Sequence, residues 1–265
     1  MIDELFAVRG KVALITGGTS GIGLMIARGL VRRGVRTYIV GRDGAQSQAI
    51  AAKLSGEAHN GGDEVGHCIG LAADLAEPHG PAQLAAEFER HEPRLNVLIN
   101  NAGASESGQL DSVSLEDWDK VLNVNLRAGF FLIQKLLPRL RAAATGTDPA
   151  RIINIGSIGG LHIPNWDAFP YGASKAALHH LTRALTKRLG KDNIAVNAIA
   201  PGPFPSRLTN TESEAVKKSV QTYIPLGRPG EPEDIEGLVV FLASRAGAYV
   251  NGTTIPLDGG YIAAL

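Results

Sequence analysis

The chain has 265 residues, 44% of them hydrophobic, which is enough to bury one large core, and α/β chains of this length commonly form one domain. Lys plus Arg and Asp plus Glu number 26 each, so no bulk field draws the protein toward nucleic acid or an anionic membrane, and a small-molecule substrate fits better. The single cysteine, Cys68, excludes an intramolecular disulfide and, with His67 beside it, forms no cluster of metal-ligand spacing, so no metal site is expected.

The first residues, Met1 to Phe6, lack a basic start and an apolar run, and no stretch is long enough and apolar enough to span a bilayer; a cytoplasmic protein is expected. Strands are expected at 12–16, 37–40, 65–71, 97–100, 151–155, 195–199 and 254–257. Between them, 22–33, 45–54, 81–90, 115–126, 130–143, 171–189 and 232–243 read as helices. This alternation implies an α/β protein of the Rossmann type: a doubly wound parallel sheet of about seven strands, with helices on both faces, in a single domain over 1–265. The first strand is apolar on both sides, as a central strand should be. A surface loop is expected at 56–62 and a turn at 145–150. Residues 203–222 break the βα rhythm after a strand, where open α/β sheets place their ligand crevice, and make a candidate substrate lid.

The first strand runs into Gly17-Gly18-Thr19-Ser20-Gly21-Ile22-Gly23, and a helix follows at once. Glycines permit a tight turn and let a pyrophosphate approach the backbone, while the helix start offers free N–H groups and a positive dipole end. Glycines at 17, 21 and 23 differ from the GxGxxG spacing; taken alone they also suit an ordinary βα turn. Further segments then occur in order: Asp74-Leu75, Asn100-Asn101-Ala102-Gly103, Asn123-Val124-Asn125-Leu126, Ser157, Tyr171-Gly172-Ala173-Ser174-Lys175 and Pro201-Gly202. Together these motifs resemble the short-chain dehydrogenase/reductase family, with its TGxxxGIG turn, over nearly all of the chain. The resemblance implies that Asp74 hydrogen-bonds the adenine and that the Asn101-Ala102-Gly103 segment packs against a nicotinamide dinucleotide. It also implies that Pro201, Gly202 and Phe204 belong to a segment contacting the nicotinamide carboxamide, with Ser206 where a threonine is usual.

Tyr171 and Lys175 are four positions apart on one helix face and can reach a common point. A ketone is a poor hydride acceptor unless donors and a proton meet the charge that develops on its oxygen. A phenol titrates near about 10, and a neighbouring ammonium is expected to lower it. The resemblance makes Tyr171 the acid, Ser157 the carbonyl holder, Lys175 the partner of the nicotinamide ribose hydroxyls, and Asn125 the holder of a water that links Lys175 to solvent. On residue chemistry alone, Asn125 can equally bond a backbone carbonyl.

The second strand ends at Val40-Gly41-Arg42-Asp43. An acidic residue at the strand end would accept bonds from the adenine ribose and repel a 2′-phosphate, but that position is Gly41. Arg42 can bind the phosphate, which points to NADP(H), and an acid placed at Gly41 should shift preference to NADH; a one-residue shift would instead bring Asp43 to the ribose. The substrate pocket is expected from 104–109, 158–170 and 204–223, made apolar by Leu161, Ile163, Trp166, Phe169, Phe204 and Leu208, with Arg207 the one candidate carboxylate clamp. That composition suits an acyl or aliphatic ketone better than a sugar, and the chain resembles the 3-oxoacyl carrier-protein reductases. A secondary-alcohol or polyol dehydrogenase, and a non-catalytic nucleotide-sensing module, are the alternatives. The pair His179-His180 reads as packing or surface, and His162 as a loop residue that faces either solvent or substrate. Arg139, Arg141, Lys187, Arg188 and Lys191 read as solvated helix faces rather than a carrier-protein patch. The resemblance further implies a homo-oligomer, dimer or tetramer, paired through 115–143 and 171–189; the largely apolar segment 250–265 suits equally a second interface built on the last strand or an edge strand and tail packed on their own subunit.

Overall fold

In the computed structural model, which describes residues 2–59, 66–163, 167–206, 209 and 211–265, one sheet carries every strand. The chain runs α1 (Ile2–Leu5), β1 (Val12–Thr16), α2 (Gly21–Arg32), β2 (Arg36–Gly41), α3 (Gly44–His59), β3 (Cys68–Ala72), α4 (Gly80–His91) and β4 (Val97–Asn100). It continues through α5 (Leu115–Leu122), a π-helical turn (Asn123–Arg127), α6 (Ala128–Ala143), β5 (Ala150–Ile155), a 3₁₀ turn (Ile158–Gly160), α7 (Phe169–Leu189) and β6 (Ile194–Pro201), then α8 (Glu214–Tyr223), α9 (Pro232–Ala243) and β7 (Thr254–Leu257). The strand order is β3-β2-β1-β4-β5-β6-β7, with every pair parallel.

The period-2 geometry of strands sorts the core into two layers. Ala13 and Ile15 of β1 pack with α2, α3 and α9 on one face. Val12 and Leu14 pack with α4 and α6 on the other. All five residues of β1 are buried, as its two-sided apolar sequence requires of a strand covered on both faces. Fully burying one such Leu or Ile stabilises by roughly 1.5–3 kcal/mol. The chain crosses from one half of the sheet to the other between β1 and β4, and this reversal opens the crevice above the carboxyl ends of the strands.

Most expected elements appear within a residue or two of their sequence limits. Others differ. The expected loop from Gly56 begins later, because α3 runs on to His59, and the rest of that loop, like Val65, lies outside the described residues; the strand expected from Val65 starts at Cys68, since Gly66 and His67 are not in the sheet; and the helix expected over 115–126 turns π-helical after Leu122. The segment 203–222 is not a bare loop: Ser213 caps α8 by accepting from Val216 N, and Val220 and Ile224 pack on Ile158 and Tyr261. Helix α8 is thereby attached to the turn that follows Ser157.

Candidate active site

The glycine turn after β1 is shaped for close approach. Gly17 and Gly21 have φ of 65° and 51°, where a side chain would be strained, and a Cβ on Gly23 would lie 2.3 Å from the Gly17 carbonyl oxygen. Ser20 is the N-cap of α2 yet forms no side-chain cap bond, so the first-turn amides have neither an intrahelical partner nor a cap from Ser20. Thr16 Oγ1 accepts from the amides of Asn101 and Ala102, each at 3.0 Å, while Asn101 Nδ2 donates to the carbonyls of Thr16 (2.9 Å) and Gly17 (3.0 Å). Asn101 therefore clasps β1 to the end of β4. The contribution of Asn101 to the crevice is its position, since its amide is already engaged.

On the far side of the turn, Arg42 is exposed at the end of β2. Asp43 is engaged elsewhere, since its carboxylate accepts from Gln46 N at 3.0 Å and its carbonyl from Ser47 N and Oγ, so it starts α3. That occupation disfavours the shifted alignment in which Asp43 meets the ribose. Gly41 is close-packed as well, because a Cβ there would lie 2.8 Å from Ser47 Oγ and 2.9 Å from Thr19 Cγ2. An acid at Gly41 would press on the side chains of Thr19 and Ser47, so it would shift the glycine turn as well as change the charge at the end of β2. Asp74 is exposed beyond β3 and accepts from Ala76 N at 2.9 Å, with Leu75 buried beside it. Pro201 is buried at the end of β6, and a Cβ on Gly202 would meet Asp258 Cα at 2.9 Å.

The polar constellation forms where β4, β5 and α7 meet. Ser157 caps the 3₁₀ turn by accepting from Gly159 N at 3.1 Å, and a Cβ on Gly159 would lie 3.4 Å from Ser157 Oγ and 3.7 Å from Tyr171 Cε1. Lys175 is buried; its Nζ donates to Ile155 O at 2.8 Å and lies 5.6 Å from the Tyr171 ring centre. Asn125 is buried in the π-helical turn, a distortion often found at functional sites. Its Oδ1 accepts from Ala104 N at 2.7 Å, and its Nδ2 donates to Ala104 O and Ser174 Oγ, each at 2.9 Å. The Asn125 carboxamide is thus engaged with Ala104 and Ser174, with one lone pair of Oδ1 and the backbone left to hold a water.

The Tyr171 phenol sits above its ordinary value, with burial the larger cause and a hydrogen bond from Ser157 opposing it. The Lys175 ammonium points at the Ile155 carbonyl, and its own burial lowers it from 10.5 to about 8. Tyr171 consequently stays protonated through the neutral range, the state a proton donor needs.

A family model described as Enoyl-(Acyl carrier protein) reductase matches residues 17–262. The rhamnolipid-biosynthesis 3-oxoacyl-[acyl-carrier-protein] reductase of Pseudomonas aeruginosa is 42% identical over 259 residues, 97% of this chain and 98% of that protein. The chain belongs to the short-chain dehydrogenase/reductase family. Among solved structures, the Pseudomonas aeruginosa RhlG/NADP active-site complex superposes with a TM-score of 0.90 at 42% identity, covering 97% of this chain and 98% of that one. The 2-dehydro-3-deoxy-D-gluconate 5-dehydrogenase of Dickeya dadantii is 35% identical over 269 residues, 99% of this chain and all of that protein.

In this short-chain dehydrogenase/reductase, the fold brings Ser157, Tyr171, Lys175 and Asn125 together and sets the glycine turn beside them. Phe204 departs from expectation: it is 2% exposed and packs against Gly230, where a Cβ would come within 2.2 Å of the ring, so its side chain belongs to the core and not to a pocket wall. Leu161, Ile163 and Phe169 are exposed at the rim. Trp166, Arg207 and Leu208 lie outside the described residues. His162 is half-buried against Tyr261, with ring centres 5.1 Å apart. Of the basic residues considered for a carrier patch, Arg141 pairs with Asp192 at 2.8 Å and Arg139 with Glu89 at 3.4 Å. Sequence reading missed the supports: Thr16, and Ser174, whose Oγ donates to Tyr171 O at 2.7 Å while accepting from Asn125.

Lys175 carries a testable cost. Its folded value lies below the ordinary one, so the unfolded chain holds more protons between about pH 8 and 10.5, and this group makes stability rise with pH across that window. Below it, burying the charge costs about 3 kcal/mol at about 1.4 kcal/mol per pH unit, against about 1 kcal/mol for the bond to Ile155. Lys175→Met is therefore expected to raise the stability of the unliganded protein by about 1–2 kcal/mol at pH 7, with the gain shrinking toward pH 10. Denaturant titrations at the two pH values check this, and an equal loss at both would refute it.

Proposed function

We propose that the chain is an NADP(H)-dependent reductase that transfers a hydride to the ketone of a 3-oxoacyl or other apolar substrate. The observation that carries this reading is the convergence of Ser157, Tyr171 and Lys175 beside a glycine cradle able to hold a dinucleotide phosphate. The cradle fits such a group because Gly17, Gly21 and Gly23 let the turn close tightly without side chains and the start of α2 leaves amide donors. Residues 17–23 would hold the pyrophosphate, Arg42 the 2′-phosphate, Asp74 and Leu75 the adenine, and the Asn101-Ala102-Gly103 segment with Pro201, Gly202 and the Phe204 backbone the remainder. NADPH supplies the hydride when bound.

The protein's own work is placement and proton supply. Ser157 donates to the carbonyl oxygen and stabilises the charge that grows there. Tyr171 gives its phenolic proton to the same oxygen as the alcohol forms, and in the reverse direction takes it back. Lys175 binds the ribose hydroxyls and, being near about 8, passes a proton toward Tyr171 at little cost. Asn125 holds a relay water. The lid segment 203–222, anchored by Val220 and Ile224, covers the substrate.

Two features support an acyl ketone: the apolar rim of Leu161, Ile163 and Phe169, and the relative named for 3-oxoacyl-carrier substrates. A polyol or sugar-acid dehydrogenase is the second reading, and the gluconate-type relative favours it. The test is steady-state turnover of 3-oxoacyl thioesters, simple ketones and polyols with both nicotinamide cofactors. Higher kcat/KM with thioester ketones and NADPH is expected, whereas preferential polyol oxidation would replace the acyl reading. A nucleotide sensor would bind NADPH and turn over nothing.

The same reading includes a homo-oligomer, dimer or tetramer, in the cytoplasm. Phe130 and Phe131 are exposed on α6, an apolar groove runs along Leu126, Phe130, Ala177 and Leu181, and β7 pairs with β6 alone among the described residues. Among those residues no helix is long and apolar enough to cross a membrane.

A further inference from the structure

Helix α7 presents Tyr171, Lys175 and His179 at four-residue intervals, so all three leave the same side of the helix. The first two are accounted for. His179 is 5% exposed and lies against the turn that carries Ser157, where its ring has at most a weak hydrogen bond to the Gly160 backbone. The ring fills space that glycine leaves at Gly156, where a Cβ would come within 2.1 Å of His179 Nε2; at Gly160 a Cβ would first meet the α7 backbone at Ala176 N and Lys175 C, each 2.7 Å away, and then His179 Cε1 at 2.9 Å. These two glycines bracket Ser157, Ile158 and Gly159.

We infer that His179 is a positioning residue, an imidazole wedge that sets the height and tilt of the Ser157 turn relative to Tyr171. The inference rests on the assignment of Ser157, Tyr171 and Lys175 made above. Three contacts fix the turn at its base: Gly156 N donates to Ile199 O at 2.7 Å, Lys175 donates to Ile155 O, and the His179 ring closes the gap beneath Gly156 and Gly160. Burial first, then the charge of Lys175, pushes the imidazole down to about 4, so the wedge is neutral near pH 7 and Lys175 is spared a cationic neighbour. Removing the ring frees the turn to sink into the space left behind. Misplacing a reacting group by about 1 Å costs on the order of a hundredfold in rate.

His179→Ala is expected to lower kcat for ketone reduction about ten- to a hundredfold, while the Kd for NADPH, read by fluorescence, stays within about threefold. A merely structural role would lower the melting temperature and leave kcat of the folded protein unchanged. The second arm uses the close contact itself. Gly156→Ala alone should be severely impaired; with His179→Ala in the same chain, the nearest remaining contact is Ile199 O at 3.1 Å, and activity should recover at least about tenfold over Gly156→Ala. A kcat for His179→Ala within twofold of the parent, or equal damage from Gly156→Ala with and without His179, overturns the inference. Should His179→Ala fail to fold, His179→Asn shortens the wedge without emptying the site and carries the same kcat measurement, with a loss of about three- to tenfold expected. Tyr171→Phe measured alongside separates the two levels: an active Tyr171→Phe removes the site assignment and the wedge with it, whereas an inactive Tyr171→Phe beside an unimpaired His179→Ala removes the wedge alone.

Discussion

Tyr171→Phe is expected to lower kcat for ketone reduction by a factor of about 10²–10⁴, the usual contribution of a positioned acid, while NADPH binding stays within about twofold. The substitution removes one oxygen from a ring that burial already keeps protonated, so the loss should fall on proton delivery and spare the cofactor cradle. Lys175→Ala should damage both properties, because Lys175 is assigned to the ribose as well as to the proton path. Comparison of kcat with NADPH Kd for the two variants separates these roles. Substantial turnover by Tyr171→Phe would mean that another group supplies the proton.

Arg42→Ala should weaken NADPH about ten- to a hundredfold and change NADH far less, since a hydrogen bond to a charged group contributes roughly 1.5–3 kcal/mol. The site is exposed, so the difference should shrink as salt is raised. The structure strengthens this expectation by engaging Asp43 at the start of α3, leaving Arg42 as the charged residue available at the end of β2. Titration of both cofactors at low and high ionic strength is the check. Equal weakening of the two, or a parent protein with higher kcat/KM for NADH, would remove Arg42 from the 2′-phosphate.

The sheet was legible because its strands are short apolar runs between glycine and helix-start signals, and β1, β4 and β7 fall at the expected residues. The reacting side chains were legible for a different reason: Tyr171 and Lys175 share a helix, so their spacing alone places them together. What escaped was the tertiary accommodation. Nothing in the local pattern around Phe204 says that its ring turns into the core against Gly230, or that Asn125 spends its carboxamide on Ala104 and Ser174. The direction of the Tyr171 shift follows from tertiary burial, and the Ile155 carbonyl that captures the Lys175 ammonium lies 20 residues away in sequence. His179 read as filler because its partners are glycines, which leave no side-chain signal.

The central claim, that this constellation reduces a ketone with hydride from NADPH, is tested most directly by a single turnover: enzyme loaded with one equivalent of NADPH is mixed rapidly with excess 3-oxoacyl thioester and the loss of NADPH absorbance is followed. Oxidation of close to one equivalent per site by the parent protein, and almost none on the same timescale by Tyr171→Phe, is the predicted result. Tight NADPH binding with no oxidation by thioester or simple ketone in the parent protein would contradict it.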